Sequence, residues 1–132
     1  MMKSLLLAVL FLGGCATMNI DNFEDDSLTP NEMQMIATVG GEIMAGQYPP
    51  GKTTVALKPV GAFGEYLVEA LRQRGFGVQE SNAVALHYLL DQLDDRTWRL
   101  GLITTDWRND SVFHRDGNNT LIRGTQTQRV AP

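Results

Sequence analysis

TTVALKPVGAFGEYLVEALRQRGFGVQE, residues 53–80, is the stretch that decides the fold. Thr53 to Lys58 is β-branched and alternating, and Pro59, which has no N–H to give to a ladder, ends it. Phe63, Tyr66, Leu67, Ala70 and Leu71 then recur at helical spacing, with Glu65, Glu69, Arg72 and Arg74 on the opposite side. Gly75 stands where a left-handed residue closes a helix, and Phe76 after it can fold back on the last turn. Phe76 to Glu80 reads as a second short strand. The unit is strand-helix-strand, and its crossover is right-handed if the strands are parallel.

Upstream, Thr29-Pro30-Asn31-Glu32 combines a capping threonine, proline at the first helical position and glutamate three residues after the cap. It predicts a helix over 30–45 with Met33, Ile36, Ala37, Gly40, Ile43 and Met44 on one face and Gly46 as its left-handed stop. The small residues Ala37, Gly40 and Gly41 allow close approach, either to the domain's own sheet or to a neighbouring subunit. Downstream, Leu86–Asp94 and Thr97–Thr105 read as a hairpin closed through Asp94, Asp95 and Arg96. Asp116-Gly117 marks a turn between Ser111–Arg115 and Thr120–Arg123. The expected fold class is α+β: one small domain, a strand-helix-strand unit followed by antiparallel hairpins, with an N-terminal helix. Its sheet is expected to be mixed, three- or four-stranded, and covered on one face by the 62–74 helix.

At the beginning of the chain, Lys3 precedes the apolar run Leu5–Leu12, and Leu12-Gly13-Gly14-Cys15 has the small-residue pattern that lipoprotein signal peptidase cuts before cysteine. The run is too short to span a bilayer. The organisation read from this is a signal peptide at 1–14, lipidated Cys15 with a flexible tether to residue 28, a periplasmic domain at 29–123 and a polar, mobile tail at 124–132. Within the acidic tether, Ile20 and Phe23 are candidate anchors for a partner. Ala16, beside the lipidated cysteine, lacks the aspartate associated with inner-membrane retention, so the outer membrane is favoured.

Removing 14 of 132 residues leaves 118, enough for one domain and a tether. With Lys3 gone, the 11 basic residues fall to 10 against 15 acidic ones, a balance that excludes a nucleic-acid grip. Cys15 is the only cysteine, so no disulfide is available to the mature domain.

Gly46-Gln47-Tyr48-Pro49-Pro50-Gly51-Lys52-Thr53 matches the phosphate-loop spacing, but a helix precedes it, a strand follows it, and two prolines delete backbone donors from the cradle. No nucleotide is expected there. His87 and His114 stand apart without a nucleophile, and Asp91, Asp94 and Asp95 sit at a predicted turn, where aspartate serves local backbone bonds. No catalytic residue, metal ligand or cofactor is assigned. Among the aromatics, Trp98 shares a strand face with Leu100, Leu102 and Thr104 and reads as core. Trp107 lies beyond that alternation, between Asp106 and Arg108, and fits either an interface anchor or the core.

The lipobox, Tyr48–Thr53 leading into a strand, Phe63-Gly64 followed by Leu67, Ala70-Leu71-Arg72-Gln73-Arg74-Gly75-Phe76-Gly77-Val78, Tyr88–Asp94 and Trp98-Arg99-Leu100 together resemble the TrbH-type conjugal transfer lipoproteins over about residues 30–115. The resemblance implies a structural, non-enzymatic lipoprotein of a type IV secretion or conjugation apparatus, carrying palmitate and other acyl chains at Cys15. It would contact other channel subunits, with a homo-oligomeric ring as one arrangement. The competing classes are a stand-alone envelope lipoprotein that binds a small ligand, which needs an apolar cavity, and an envelope hydrolase, which needs a clustered nucleophile and base.

Overall fold

The structure, a computed structural model, describes residues 21–130. Among the described residues two sheets share two helices. Strand β1 (Phe23–Glu24) is followed by helix α1 (Pro30–Gln47), a 3-10 turn at Pro50–Lys52, strand β2 (Thr54–Ala56), helix α2 (Ala62–Gln73) and the short strands β3 (Gly77–Gln79) and β4 (Val84–Ala85). The long strands β5 (His87–Asp94), β6 (Thr97–Ile103), β7 (Trp107–Arg115) and β8 (Leu121–Val130) follow.

The 53–80 unit forms as its pattern predicts: β2 and β3 are parallel, with α2 between them in sequence. Gly75 takes φ +102°, and the Phe76 N–H donates back to the Leu71 carbonyl at 3.1 Å, which closes α2 while burying the Phe76 ring. The expected single sheet is instead two. β2 is flanked by β3 and β4 in a three-stranded parallel sheet, and β5 to β8 make an antiparallel meander to which β1 adds in parallel, in the order β1-β5-β6-β7-β8. The expected strand at 86–94 is thus preceded by β4, so one run of chain passes from the small sheet into the large one. Short apolar runs do not announce which sheet they join.

Helix α1 starts on the capping box: the Thr29 hydroxyl accepts from the Glu32 N–H at 3.2 Å and Glu32 accepts from the Thr29 N–H at 3.0 Å. It does not stop at Gly46. It runs to Gln47, and Tyr48 is extended because Pro49 follows it and crowds the α region. A Cβ on Gly40 would come to 2.9 Å from Leu67 Cδ1, and one on Gly41 to 3.2 Å from the Ala70 carbonyl. The small-residue face therefore meets α2 of the same chain. One core joins Ile36, Met44, Phe63, Leu67 and Leu71 of the helices to Tyr88, Leu90, Trp98, Leu100, Leu102 and Phe113 of the large sheet. Each fully buried apolar side chain of this size contributes about 1.5–3 kcal/mol relative to exposure.

Two segments read as loose are part of the sheet. Residues 21–28, expected as tether, carry β1 and the buried Leu28. Residues 124–130, expected as a mobile tail, belong to β8 and pair with β7 from Trp107↔Val130 to Arg115↔Leu121. Thr and Gln suit an edge strand whose ladder needs no burial. The turn before β8 forms with Asn119, not Gly117, in the left-handed region (φ 62°), and the Asp116 carboxylate accepts from the Asn118 and Thr120 N–H groups.

Candidate functional site

Three surfaces concentrate what this domain can offer. The first is the N-terminal edge. Asn22 donates to the Lys58 carbonyl at 2.8 Å and accepts from the Tyr88 N–H at 2.9 Å. Glu24 points inward from β1 to the start of α2, where Gly61 at the N-cap has no side chain to cap with. Its carboxylate accepts from the Phe63 N–H at 2.8 Å, the Gly64 N–H at 2.9 Å and the Tyr88 hydroxyl at 2.7 Å. An acidic side chain from a strand remote in sequence thus satisfies two of the helix's orphan donors and meets its positive end. Burial, together with the adjacent Glu24 carboxylate, pushes the Tyr88 hydroxyl well above the ordinary phenol range, while its bond from the Val60 N–H at 3.0 Å opposes the shift.

The second group ties this edge to the sheet. The Trp98 indole donates to Asp25 Oδ2 at 3.2 Å and to Ser27 Oγ at 3.1 Å. Burial raises the Asp25 carboxyl, but the hydroxyl and N–H of Ser27 and the indole outweigh it and leave Asp25 below its usual value. Arg115 lies over the Trp98 ring, 4.5 Å from its centroid, and grips Glu32 through Nε at 3.1 Å and a terminal nitrogen at 2.7 Å. The hydrogen bond from Arg115 is the largest reason that Glu32 is held below its usual value, with burial opposing and Thr29 assisting. The capping box, the sheet and the N-terminal edge are one polar network around a buried tryptophan.

The third surface is β8. Of its ten residues only Leu121 is buried. Arg123 and Arg129 are its charged residues and none is acidic. Arg123 reaches Glu42 of α1 at 3.2 Å and Gln126 at 3.0 Å. At the strand's root, Asn109 and Ser111 lie buried on β7, and Asn109 donates to Gln128 at 3.0 Å.

Of the candidate residues, Phe23 is half exposed at the sheet edge. Trp107 begins β7 rather than lying beyond it, is 5% exposed, and has its ring 6.4 Å from that of Tyr48, so it is core. Its indole N–H is buried without a partner among the described residues. Cys15 and Ile20 lie outside the described residues.

The phosphate-loop lookalike has the predicted helix-turn-strand order, and Thr53 gives its hydroxyl to the Pro49 carbonyl at 2.8 Å. Asp91 is held by Arg99 at 2.7 Å across the hairpin, and Asp94 accepts from the Arg96 N–H at 2.9 Å in the turn. His87 and His114 sit on β5 and β7 with β6 between them. Among the described residues no group of three His, Cys, Asp or Glu could hold a metal ion, and no helix is long and apolar enough to cross a membrane. The crevice between α2 and the small sheet, about 290 Å³, is open and rimmed by Lys58, Glu65, Arg72 and Glu80.

Glu24 was missed by sequence reasoning. The signal available was indirect: a helix beginning Val60-Gly61-Ala62 without Ser, Thr, Asp or Asn must find its cap elsewhere.

What the fold and these surfaces define is a small α+β domain whose distinctive chemistry lies in edge strands and their anchoring. The chain matches the family described as conjugal transfer protein TrbH over residues 17–125, most of its length, and belongs to that family. It is therefore a conjugal transfer protein. Neither a curated protein nor a solved structure matches the chain.

Proposed function

We propose that the chain is a lipoprotein of the outer membrane, acylated at Cys15 after removal of residues 1–14, with its domain facing the periplasm, and that it serves as a structural component of a conjugative type IV secretion apparatus. The observation that carries this reading is the family match over residues 17–125. The Leu12-Gly13-Gly14-Cys15 pattern supplies the anchor. Multiple acyl chains hold firmly, at roughly 0.8 kcal/mol per buried methylene.

In this reading the domain works through protein contacts and carries no cofactor. Among the described residues no strand pairs with the outer edge of β8, whose outward backbone groups, with Arg129 beside them, favour an extended acidic segment of a neighbouring subunit or a further copy of the chain. Cys15→Ser tests the anchor. The expected result is release from the membrane fraction and a fall in transfer frequency in a mating assay. Continued sedimentation with outer membrane would mean that protein contacts, not lipid, hold it there.

A further inference from the structure

We propose that Asp21–Ser27 is a releasable strap, latched by the Glu24 carboxylate, whose docking sets how far the domain reaches from the bilayer. The inference rests on acylation at Cys15 and goes beyond it by assigning a mechanical role to the segment that follows.

The strap is held in a way that suits reversible release. Its ladder is two residues long, so backbone pairing alone is weak. The retention comes from side chains: Glu24 gathers three donors from α2 and Tyr88, Asn22 bridges Lys58 and Tyr88, and the Asp25–Ser27 pair takes the Trp98 indole. When the strap leaves, the partly buried Glu24 and Asn22 turn to water, and the Tyr88 hydroxyl and Trp98 indole N–H, buried against the strap while it is docked, are uncovered to water in turn. Leu28, by contrast, is 6% exposed and belongs to the core, next to the Thr29 cap of α1. Release therefore ends at the Ser27–Leu28 junction and leaves the rest of the fold in place.

The consequence is a change of reach. With the strap docked, the chain from Cys15 to Asp21 spans at most about 20 Å at roughly 3.5 Å per residue. With it released, the chain from Cys15 to Leu28 spans up to about 45 Å. One carboxylate thus chooses between a domain held against the membrane and one extended into the periplasm, where other subunits of an assembly lie.

The test uses the full-length acylated protein in phosphatidylcholine vesicles, carrying Asn118→Cys labelled with a fluorophore as donor to an acceptor lipid. Backbone hydrogen exchange is followed in the same samples. In the wild type, the Asp25, Phe63 and Gly64 amides are expected to be protected and the donor to lie close to the bilayer. Glu24→Ala is expected to raise exchange at 21–27 and at 63–64 about tenfold or more, leave the Leu100 and Leu102 amides unchanged, and reduce energy transfer.

Glu24→Gln, which keeps the shape and one good acceptor, should give a smaller change of the same kind, and it decides the matter if Glu24→Ala also unprotects the core. Unchanged strap exchange, or released strap amides without lower energy transfer, would overturn the latch. Wild-type protein that fails to stay with the vesicles would overturn the acylation reading instead, while the exchange data still report on the strap.

Discussion

Asp21–Leu28 and Leu121–Val130 occupy opposite edges of the same five-stranded sheet, and composition assigns the first, and the second from Gly124 onward, to linkers. They are held by different means. The first contributes only two residues to the ladder but is fixed by side chains: Glu24 on the start of α2, Asp25 and Ser27 on Trp98, and Leu28 in the core. The second pairs eight of its ten residues with β7 across a register shift, yet only one of the ten is buried. Backbone pairing supplies most of what holds β8, with Arg123–Glu42 and Asn109–Gln128 as side-chain contacts, whereas side chains supply most of what docks the two-residue strand. An edge held mainly by its ladder is also, among the described residues, the edge left open for another chain.

Substitutions that separate these two kinds of attachment should differ in size. Leu28→Ala is expected to have the largest effect, destabilising the domain by about 2–4 kcal/mol in denaturant unfolding, because it empties a core site at the foot of the strap. A cost under about 1 kcal/mol would mean that the strap end is not a core element.

Thr127→Pro on β8 removes one donor from its ladder with β7 and is expected to cost about 1.5 kcal/mol, less than Leu28→Ala, while kinking the strand against which a further chain would pair. A loss comparable to that of Leu28→Ala would erase the contrast between the two edges.

Glu32→Gln should cost about 1 kcal/mol or less at neutral pH, since the pair with Arg115 retains some solvent access. Its clearer signature is pH dependence. Glu32 has a folded-state pKa below its unfolded value, so its contribution is present above the unfolded pKa, near 4.5, and disappears as pH falls through the folded one. The wild type should therefore lose more stability than Glu32→Gln on acidification below about pH 4.5, and parallel curves would remove the Arg115–Glu32 link from the account. Gln126→Ala, exposed on β8, should change stability by less than about 0.5 kcal/mol in the same unfolding measurement.

The sequence was most legible where local chemistry is complete within a few residues. The capping box at Thr29, the Gly75 stop and the Asp94–Thr97 turn are each decided by their own neighbours, and each forms. It was least legible where a partner comes from far away. Nothing near Glu24 announces that its carboxylate will cap a helix 39 residues on, and nothing in Thr125-Gln126-Thr127-Gln128 distinguishes a tail from an edge strand until β7 is beside it. Trp107 fell between two readings because the strand that buries it begins four residues earlier than the apolar pattern indicates. Asn109 and Ser111 occupy inward positions and break the alternation, being satisfied by each other and by Gln128. The contact surfaces are thus made by long-range pairing, which periodicity does not encode.

The most direct test of the structural role is recovery of the protein, tagged in the Asp116–Asn119 turn, from donor cells in gentle detergent, with mass spectrometry of what comes with it. The account predicts that subunits of the transfer channel are recovered with the wild type and lost with Thr127→Pro. A lone protein, under conditions in which the channel complex itself survives, would contradict it.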